Sequence, residues 1–218
     1  MVATMDVVVA GGHGKIALLL ERILADRGDE VRALIRNPDH GADVQAAGAT
    51  PLVADLEALD ADALAAEIGP ADAIVFAAGA GPGSGPQRKW SMDHDGAIKL
   101  ISAARSNGIA RYVMVSASGA DPRSPDDGGF GTYMRAKGQA DAELSDSGLR
   151  FTIVRPVSLT DDPATHAVST AEEGERQISR ADVAATIAEV LHDPGTIGRN
   201  FVLRAGSTAI PDALAALA

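Results

Sequence analysis

The 218-residue chain contains no cysteine. That absence excludes disulfides, thiolate zinc sites, Cys-ligated iron–sulfur clusters and thiol redox chemistry, so any electron transfer has to run through a bound organic cofactor. Positive charge is scarce as well: 19 Lys and Arg stand against 30 Asp and Glu, a net charge of -11. A field of that sign repels polyphosphate and argues against nucleic acid as a partner. No apolar stretch reaches the roughly 20 residues that cross a bilayer. The N-terminal MVATMDVVVAGG has neither a basic flank nor a long apolar run, so no secretory leader is expected. The reading is a cytoplasmic protein without membrane contact. His40, His94, His166 and His192 show no metal-ligand spacing with one another, and no metal is expected.

What is present is the composition of an ordinary globule, 46% hydrophobic and 22% charged. The length predicts one domain over 1–218, with about 157–218 forming a small substrate-side part. Short β-branched runs alternate with Ala/Leu-rich segments nearly from end to end. The runs are Met5–Ala10, Glu30–Arg36, Thr50–Ala54, Asp72–Ala78, Arg111–Ser116 and Arg150–Arg155. Helices are expected near Lys15–Arg27, His40–Ala47, Glu57–Ile68, Ser91–Asn107 and Thr132–Asp146, closed by Gly28, Gly48, Gly69, Gly108 and Gly148. A further helix is expected from a capping box at Ser179 and Asp182 to about His192, followed by a strand at Asn200–Arg204. This is the pattern of an α/β protein: a doubly wound, Rossmann-like parallel sheet with helices on both faces and a small C-terminal substrate-side extension. VVV and AIVFAA are continuously apolar, as strands covered on both faces must be. Two loops, 79–89 and 119–131, follow strands at their carboxyl ends, where open parallel sheets bind ligands. Asp121, Asp126 and Asp127 in the second loop read as solvated turn chemistry, and Trp90 as either a substrate-facing aromatic or a packing anchor.

The first strand runs into Ala10-Gly11-Gly12-His13-Gly14-Lys15-Ile16-Ala17, and an apolar-periodic helix begins there. A pyrophosphate needs a tight turn, bare backbone to touch, and the unpaired N–H groups and positive dipole end of a helix. Glycines at this spacing between a strand and a helix point to dinucleotide binding. At the end of the second strand an acid would take a ribose 2′-hydroxyl, whereas an Arg accommodates a 2′-phosphate. Arg36 stands there, so NADP(H) is expected ahead of NAD(H).

Tyr133 and Lys137 are four residues apart, on one helical face. An adjacent cation stabilises phenolate and lowers a tyrosine pKa toward a value useful for proton transfer at a carbonyl or alcohol, and the same ammonium can hold a nicotinamide ribose. The fifth strand ends in VMVSAS, which offers Ser116 and Ser118 to orient a substrate oxygen.

With these features together, the chain resembles the atypical short-chain dehydrogenase/reductase superfamily. More narrowly it is similar to the small NAD(P)H-binding branch grouped with flavin reductase and biliverdin-IXβ reductase, often labelled as sugar epimerase. The resemblance is carried by VVVAGGHGKIA, VRALIRNP, ADLE, IVFAAGAGPGSG, DHDGAIKLISAAR, RYVMVSASGADP, YMRAKGQADAEL, SGLRFTIVRP, ISRADVAATIAEVL and FVLRAGSTAIPDAL, spread over nearly the whole chain. It implies Gly11, Gly12, Gly14, Lys15 and Ile16 around the pyrophosphate, Arg36 at the 2′-phosphate, and Asp55 with Leu56 beside the adenine. It further implies Ala77, Ala78 and Gly79 at the nicotinamide-side ribose, Tyr133, Lys137 and Pro156 nearest the ring, and Ser118 as the polarising serine, with Ser116 also in reach of the cofactor.

His13 replaces the family's Thr or small residue, in a loop that uses backbone at that position. Asp93 stands where many members carry Asn. The C-terminal part is shorter than in true sugar epimerases, which disfavours a nucleotide-sugar site. The function implied is an NADPH-dependent oxidoreductase acting by hydride transfer on a small carbonyl, quinone or flavin-like acceptor, with Tyr133, Lys137 and Ser118 catalytic. A non-catalytic NADP(H)-sensing regulator is the alternative, and a flavin reductase working without Tyr133 lies between them. The partner expected is a small-molecule substrate, with monomer and dimer both open.

Overall fold

The computed structural model describes residues 4–81, 83–125 and 128–217. Among them a nine-stranded sheet runs in the order β11-β8-β10-β6-β5-β4-β1-β2-β3. Its strands are β1 (Asp6–Ala10), β2 (Glu30–Ile35), β3 (Thr50–Val53), β4 (Ala73–Phe76), β5 (Arg111–Val115), β6 (Arg150–Pro156), β8 (Ala167–Ser169), β10 (Arg199–Ala205) and β11 (Thr208–Ala209). Pairings from β3 to β10 are parallel, while β8 joins β10 and β11 antiparallel at the edge. The remaining strands, β7 (Ser158–Thr160) and β9 (Gln177–Ser179), form a separate parallel ribbon. This is a Rossmann-like α/β architecture, with the strand order reversing between β1 and β4.

The period-2 geometry of a strand splits the apolar run of β1 between two layers. Val7 and Val9 enter the layer formed with α1 (Lys15–Arg27), α2 (Gly41–Ala46), α7 (Arg180–His192) and α8 (Ile210–Ala215), where Leu20, Leu24, Val183 and Ile187 are buried. Val8 and Ala10 enter the other, with α3 (Ala61–Ile68), α5 (Ala97–Ser106) and α6 (Gly129–Asp146) supplying Leu64, Ile68, Leu100 and Leu144. Each such buried Val, Leu or Ile contributes about 1.5–3 kcal/mol, so both faces of the sheet hold their helices firmly.

Several elements differ from the sequence expectation for local reasons. α3 starts at Ala61, four residues late, because Asp60 accepts from the Ala63 N–H at 2.8 Å and caps the helix there. The 79–89 loop is cut short by α4 (Pro86–Trp90), which leads through a π-helical turn at Ser91–Gly96 into α5. Trp90 stacks on His94 with ring centroids 4.6 Å apart, the packing role of its two readings. The Ser179 cap on α7 is as expected, its Oγ accepting from the Asp182 N–H at 2.9 Å. β7, β8, β9, β11 and α8 carry no strong periodicity and are read only from the fold. Asp121 accepts from the Arg123 N–H at 2.8 Å in a turn; Asp126 and Asp127 lie outside the described residues. Among the described residues, no helix is long and apolar enough to cross a membrane.

Candidate active site

The first part of the site is built from backbone. After β1 the chain turns through Gly11 at a φ of 82° before α1 begins. A Cβ on Gly11 would lie 2.6 Å from the Ala78 Cα, and one on Gly12 would lie 2.5 Å from the Ala33 Cβ. The turn therefore fits between β2 and the end of β4 only without side chains. The Gly12 N–H donates to the Leu34 carbonyl at 2.9 Å and the Gly14 N–H to the Gly11 carbonyl at 2.8 Å. Gly14 caps α1 with no side-chain hydrogen bond, and no acidic residue occupies the first turn. The N–H groups and dipole of that helix end consequently favour an anion, and the bare cradle fits a dinucleotide pyrophosphate.

Three adjoining cavities run from this turn along the carboxyl ends of the strands. The first, of about 560 Å³, is lined by His13, Arg36, Asp55, Leu56 and Arg88 among others. The second, of about 430 Å³, is lined by Ile16, Asp93, Tyr133 and Lys137. The third, of about 550 Å³, is lined by Ser118, Tyr133 and Pro156. Ala77, Ala78 and Gly79 border both the first and second, and Phe130, Tyr133 and Leu159 border both the second and third. Tyr133 therefore borders both the second cavity, which adjoins the one at the glycine turn, and the third.

In the first cavity, Arg36 is not alone. Its Nη1 lies 3.4 Å from Glu57 Oε2, and Arg88 Nε lies 3.2 Å from the same oxygen. Ser91 donates to Glu57 Oε1 at 2.6 Å. Arg88 was not singled out in the sequence because nothing local marks it; the short helix α4 brings it opposite the end of β2. The His13 ring stacks on His40 at 3.7 Å and meets Asp43 at 2.8 Å, so this position offers a side-chain wall as well as backbone. The Lys15 ammonium reaches Asp161 at 2.5 Å and ties the turn to the C-terminal part.

In the second cavity, α6 presents Tyr133, Lys137 and Asp141 at successive four-residue steps, on one face. Lys137 is buried and lies 3.2 Å from Asp93 Oδ1, with its Nζ also donating to the Val115 carbonyl at 3.1 Å and the Ala78 carbonyl at 3.5 Å. Asp93 sits on the π-helical turn, and its Oδ2 accepts from the Ala80 N–H at 3.1 Å. Such a bulge re-aims side chains that a regular helix would direct elsewhere. Burial alone would lower the Lys137 pKa, but the charge and hydrogen bond of Asp93, with Tyr133 and Asp141 adding to them, together outweigh that, and the ammonium is held above its usual value.

The expectation for Tyr133 is corrected in sign. Burial raises the phenol, Lys137 pulls it down only in part, and Asp93 and Asp141 push it up again, so its pKa lies above 10.0. The lysine's charge is largely answered by Asp93, which leaves a protonated phenol rather than phenolate.

The two serines part company. Ser118 lines the third cavity, its N–H bonded to the Pro156 carbonyl at 2.8 Å. Ser116 is buried and donates its hydroxyl to Asp141 Oδ2 at 2.8 Å, beside the Arg155 guanidinium on the same oxygen. It lines none of the three cavities, and its side chain belongs to the support beneath α6. Asp141 is nonetheless raised, first by its burial.

Comparison with known proteins agrees with this geometry. A family profile described as NAD(P)H-binding matches residues 11–194. The protein called uncharacterized sugar epimerase YhfK of Bacillus subtilis is 40% identical over 212 residues, which cover 96% of this chain and 99% of that protein. A solved structure from Bacillus halodurans, named as an NAD-dependent epimerase/dehydratase, superposes with a TM-score of 0.90 at 37% identity, over 97% of this chain and 99% of that one. The structure of ChuY, an anaerobilin reductase from Escherichia coli O157:H7, gives a TM-score of 0.76 at 25% identity, over 92% of this chain and 97% of its own. With a glycine cradle at the head of α1 and a profile match that spans most of its length, this chain belongs to the NAD(P)H-binding family.

Proposed function

We propose that the protein is an NADPH-dependent reductase of a small carbonyl, quinone or flavin-like acceptor. The observation that carries the reading is the position of Tyr133 in the shared wall of the second and third cavities. The pyrophosphate is assigned to the glycine turn, the adenosine to the first cavity beside Asp55 and Leu56, and the 2′-phosphate to Arg36 and Arg88. The nicotinamide is assigned to the second cavity, which Ala78 and Gly79 line. Bound there, the reduced cofactor supplies two electrons as a hydride to the acceptor's electrophilic carbon. Ser118 holds the acceptor oxygen from the third cavity. Tyr133, a phenol that burial holds above its ordinary pKa, gives that oxygen a proton and is reprotonated from solvent. Carbonyl plus NADPH plus one proton thus becomes alcohol plus NADP⁺. Lys137 stays on Asp93 and the two carbonyls, and so fixes α6 against the ends of β4 and β5.

The test is NADPH oxidation against a panel of aldehydes, quinones and flavins, with Tyr133→Phe beside each active acceptor. Loss of turnover by about 10²- to 10⁴-fold at near-constant NADPH affinity is the expected result. A Phe variant that matches wild type would replace the tyrosine step by direct hydride transfer, as in a flavin reductase. Tight NADPH binding with no acceptor turned over would favour a cofactor-sensing regulator.

A further inference from the structure

The third cavity is lined by two unlike sets of side chains. One is apolar, from Phe130, Met134, Pro156, Val157 and Leu159. The other is basic, from Arg176, Arg180 and Arg204, and no carboxylate is among the lining residues. In a chain of net charge -11, guanidinium groups gathered on one cavity run against the overall field.

The three arginines are not equivalent. Arg204 donates from Nε to the Ala171 carbonyl at 3.1 Å, from Nη1 to that of Glu175 at 2.8 Å and from Nη2 to that of Glu172 at 2.6 Å. It is committed to pinning the 171–175 segment at the cavity edge, though its charge remains. Arg180 shares Asp161 with Lys15, through Nη1 at 2.6 Å, so two cations there face one anion. Arg176 is exposed, and among the described residues no hydrogen bond or ion pair engages its guanidinium. Its backbone carbonyl accepts from the Ser158 N–H at 3.2 Å, at the start of the β7–β9 ribbon. That ribbon places Arg176 at one end of β9 and Arg180 just past the other, both lining the cavity that Tyr133 and Ser118 also line.

We propose that the acceptor carries a carboxylate on an apolar body, with the carboxylate on Arg176 and Arg180 and the reducible group at Ser118 and Tyr133. The donors left open are one planar guanidinium fork and part of another, which match the bidentate geometry and single charge of a carboxylate. The apolar wall takes the body of the molecule. This rests on the reductase reading, of which it names the substrate class.

The experiment separates the two claims by measuring binding without turnover. 4-Carboxybenzaldehyde and its neutral counterpart, methyl 4-formylbenzoate, are titrated calorimetrically into the protein saturated with NADP⁺. The acid is expected to bind at least about tenfold more tightly than the ester, the effect of one charge-assisted pair. That ratio should fall to near one in Arg176→Gln and be partly restored in Arg176→Lys. In the wild-type protein, rising salt should weaken the acid and leave the ester unmoved, a check independent of any variant's folding.

Equal binding of acid and ester, a ratio that survives Arg176→Gln, or no binding of either probe overturns the proposal. A preserved ratio without any NADPH oxidation leaves the anion site standing and removes only the reductase reading.

Discussion

The half of the molecule from β1 to β4 and the half from β5 onward line their cavities by different means. On the first side the cradle is backbone: Gly11 and Gly12 are excluded from having side chains by Ala78 and Ala33, and the open N–H groups belong to the first turn of α1. On the second side it is side chains: Ser118, Tyr133 and Arg176 reach one cavity from a strand end, a helix and a ribbon. Backbone cradles recognise what all dinucleotides share, while side-chain walls set what differs between acceptors. One region therefore identifies the family and the other the individual activity. The halves meet where β4 pairs with β5 and where α1 packs on α7, there with the Arg27 guanidinium paired to Glu189 and donating to the Ala188 carbonyl, and with His192 on Asp29 at 3.0 Å.

The division of labour is tested most severely at Tyr133. If the second region alone performs the chemistry, the Phe variant loses turnover by about 10²- to 10⁴-fold while NADPH titration is unchanged. The pH profile sharpens this. A donor must be protonated, and a pKa raised above 10.0 keeps it so, so kcat is expected to be flat from about pH 6 to 9 and to fall only at higher pH. A fall centred near pH 7 would show that another group donates.

Lys137 belongs to both regions, and Lys137→Met should show it. The change leaves the buried Asp93 carboxylate without its cation, which costs about 3–5 kcal/mol. Denaturant unfolding should register that loss, and NADPH affinity should fall with it because Ala78 is no longer held. Unchanged stability would mean that the pair contributes nothing net.

Glu21 is fully buried on α1 with no hydrogen-bond partner for either oxygen among the described residues. Burial raises its pKa from 4.5 to about 8. Between those values the folded chain keeps a proton that the unfolded chain has released, so stability falls as pH rises across that window and levels off above it. Glu21→Gln should match wild type near the bottom of the window and exceed it by a few kcal/mol near pH 8, read as several degrees of Tm. Equal pH slopes in the two proteins would place Glu21 in contact with water.

On the cofactor side, Arg36→Ala should reduce the preference for NADPH over NADH by about 10- to 150-fold, the range for a charge-assisted bond to phosphate. Titration of both cofactors decides it, and a preference that survives would move the assignment to Arg88. The smallest effect expected is at Glu57, whose carboxylate occupies both arginines in the structure. Glu57→Gln should tighten NADPH by a few fold with NADH unaffected, because a 2′-phosphate then meets no anion to displace. No gain would mean that Glu57 swings clear at no cost.

The sequence by itself determined the six strand segments from β1 to β6, their doubly wound parallel class and the place of the glycine turn. Alternating apolar runs, helix caps and a strand–glycine–helix junction are local, each written within about a dozen residues, and short-range sterics fix their meaning. Tyr133 and Lys137 were legible for the same reason, since one helical turn brings them together.

Only the tertiary structure decided what those residues meet. It buried Tyr133 and set Asp93, on a π-helical turn, against Lys137; burial first, with the carboxylates adding to it, reversed the expected sign for Tyr133. It sent Ser116 to Asp141 and Ser118 to the cavity, two residues apart in the chain just past the end of β5, where the regular strand geometry has stopped. It brought Arg88 to Arg36 and gathered Arg176, Arg180 and Arg204 from segments with no shared periodicity. Burial and the field of distant charges depend on the whole packed chain, and these settle which proton is held and which guanidinium is left open.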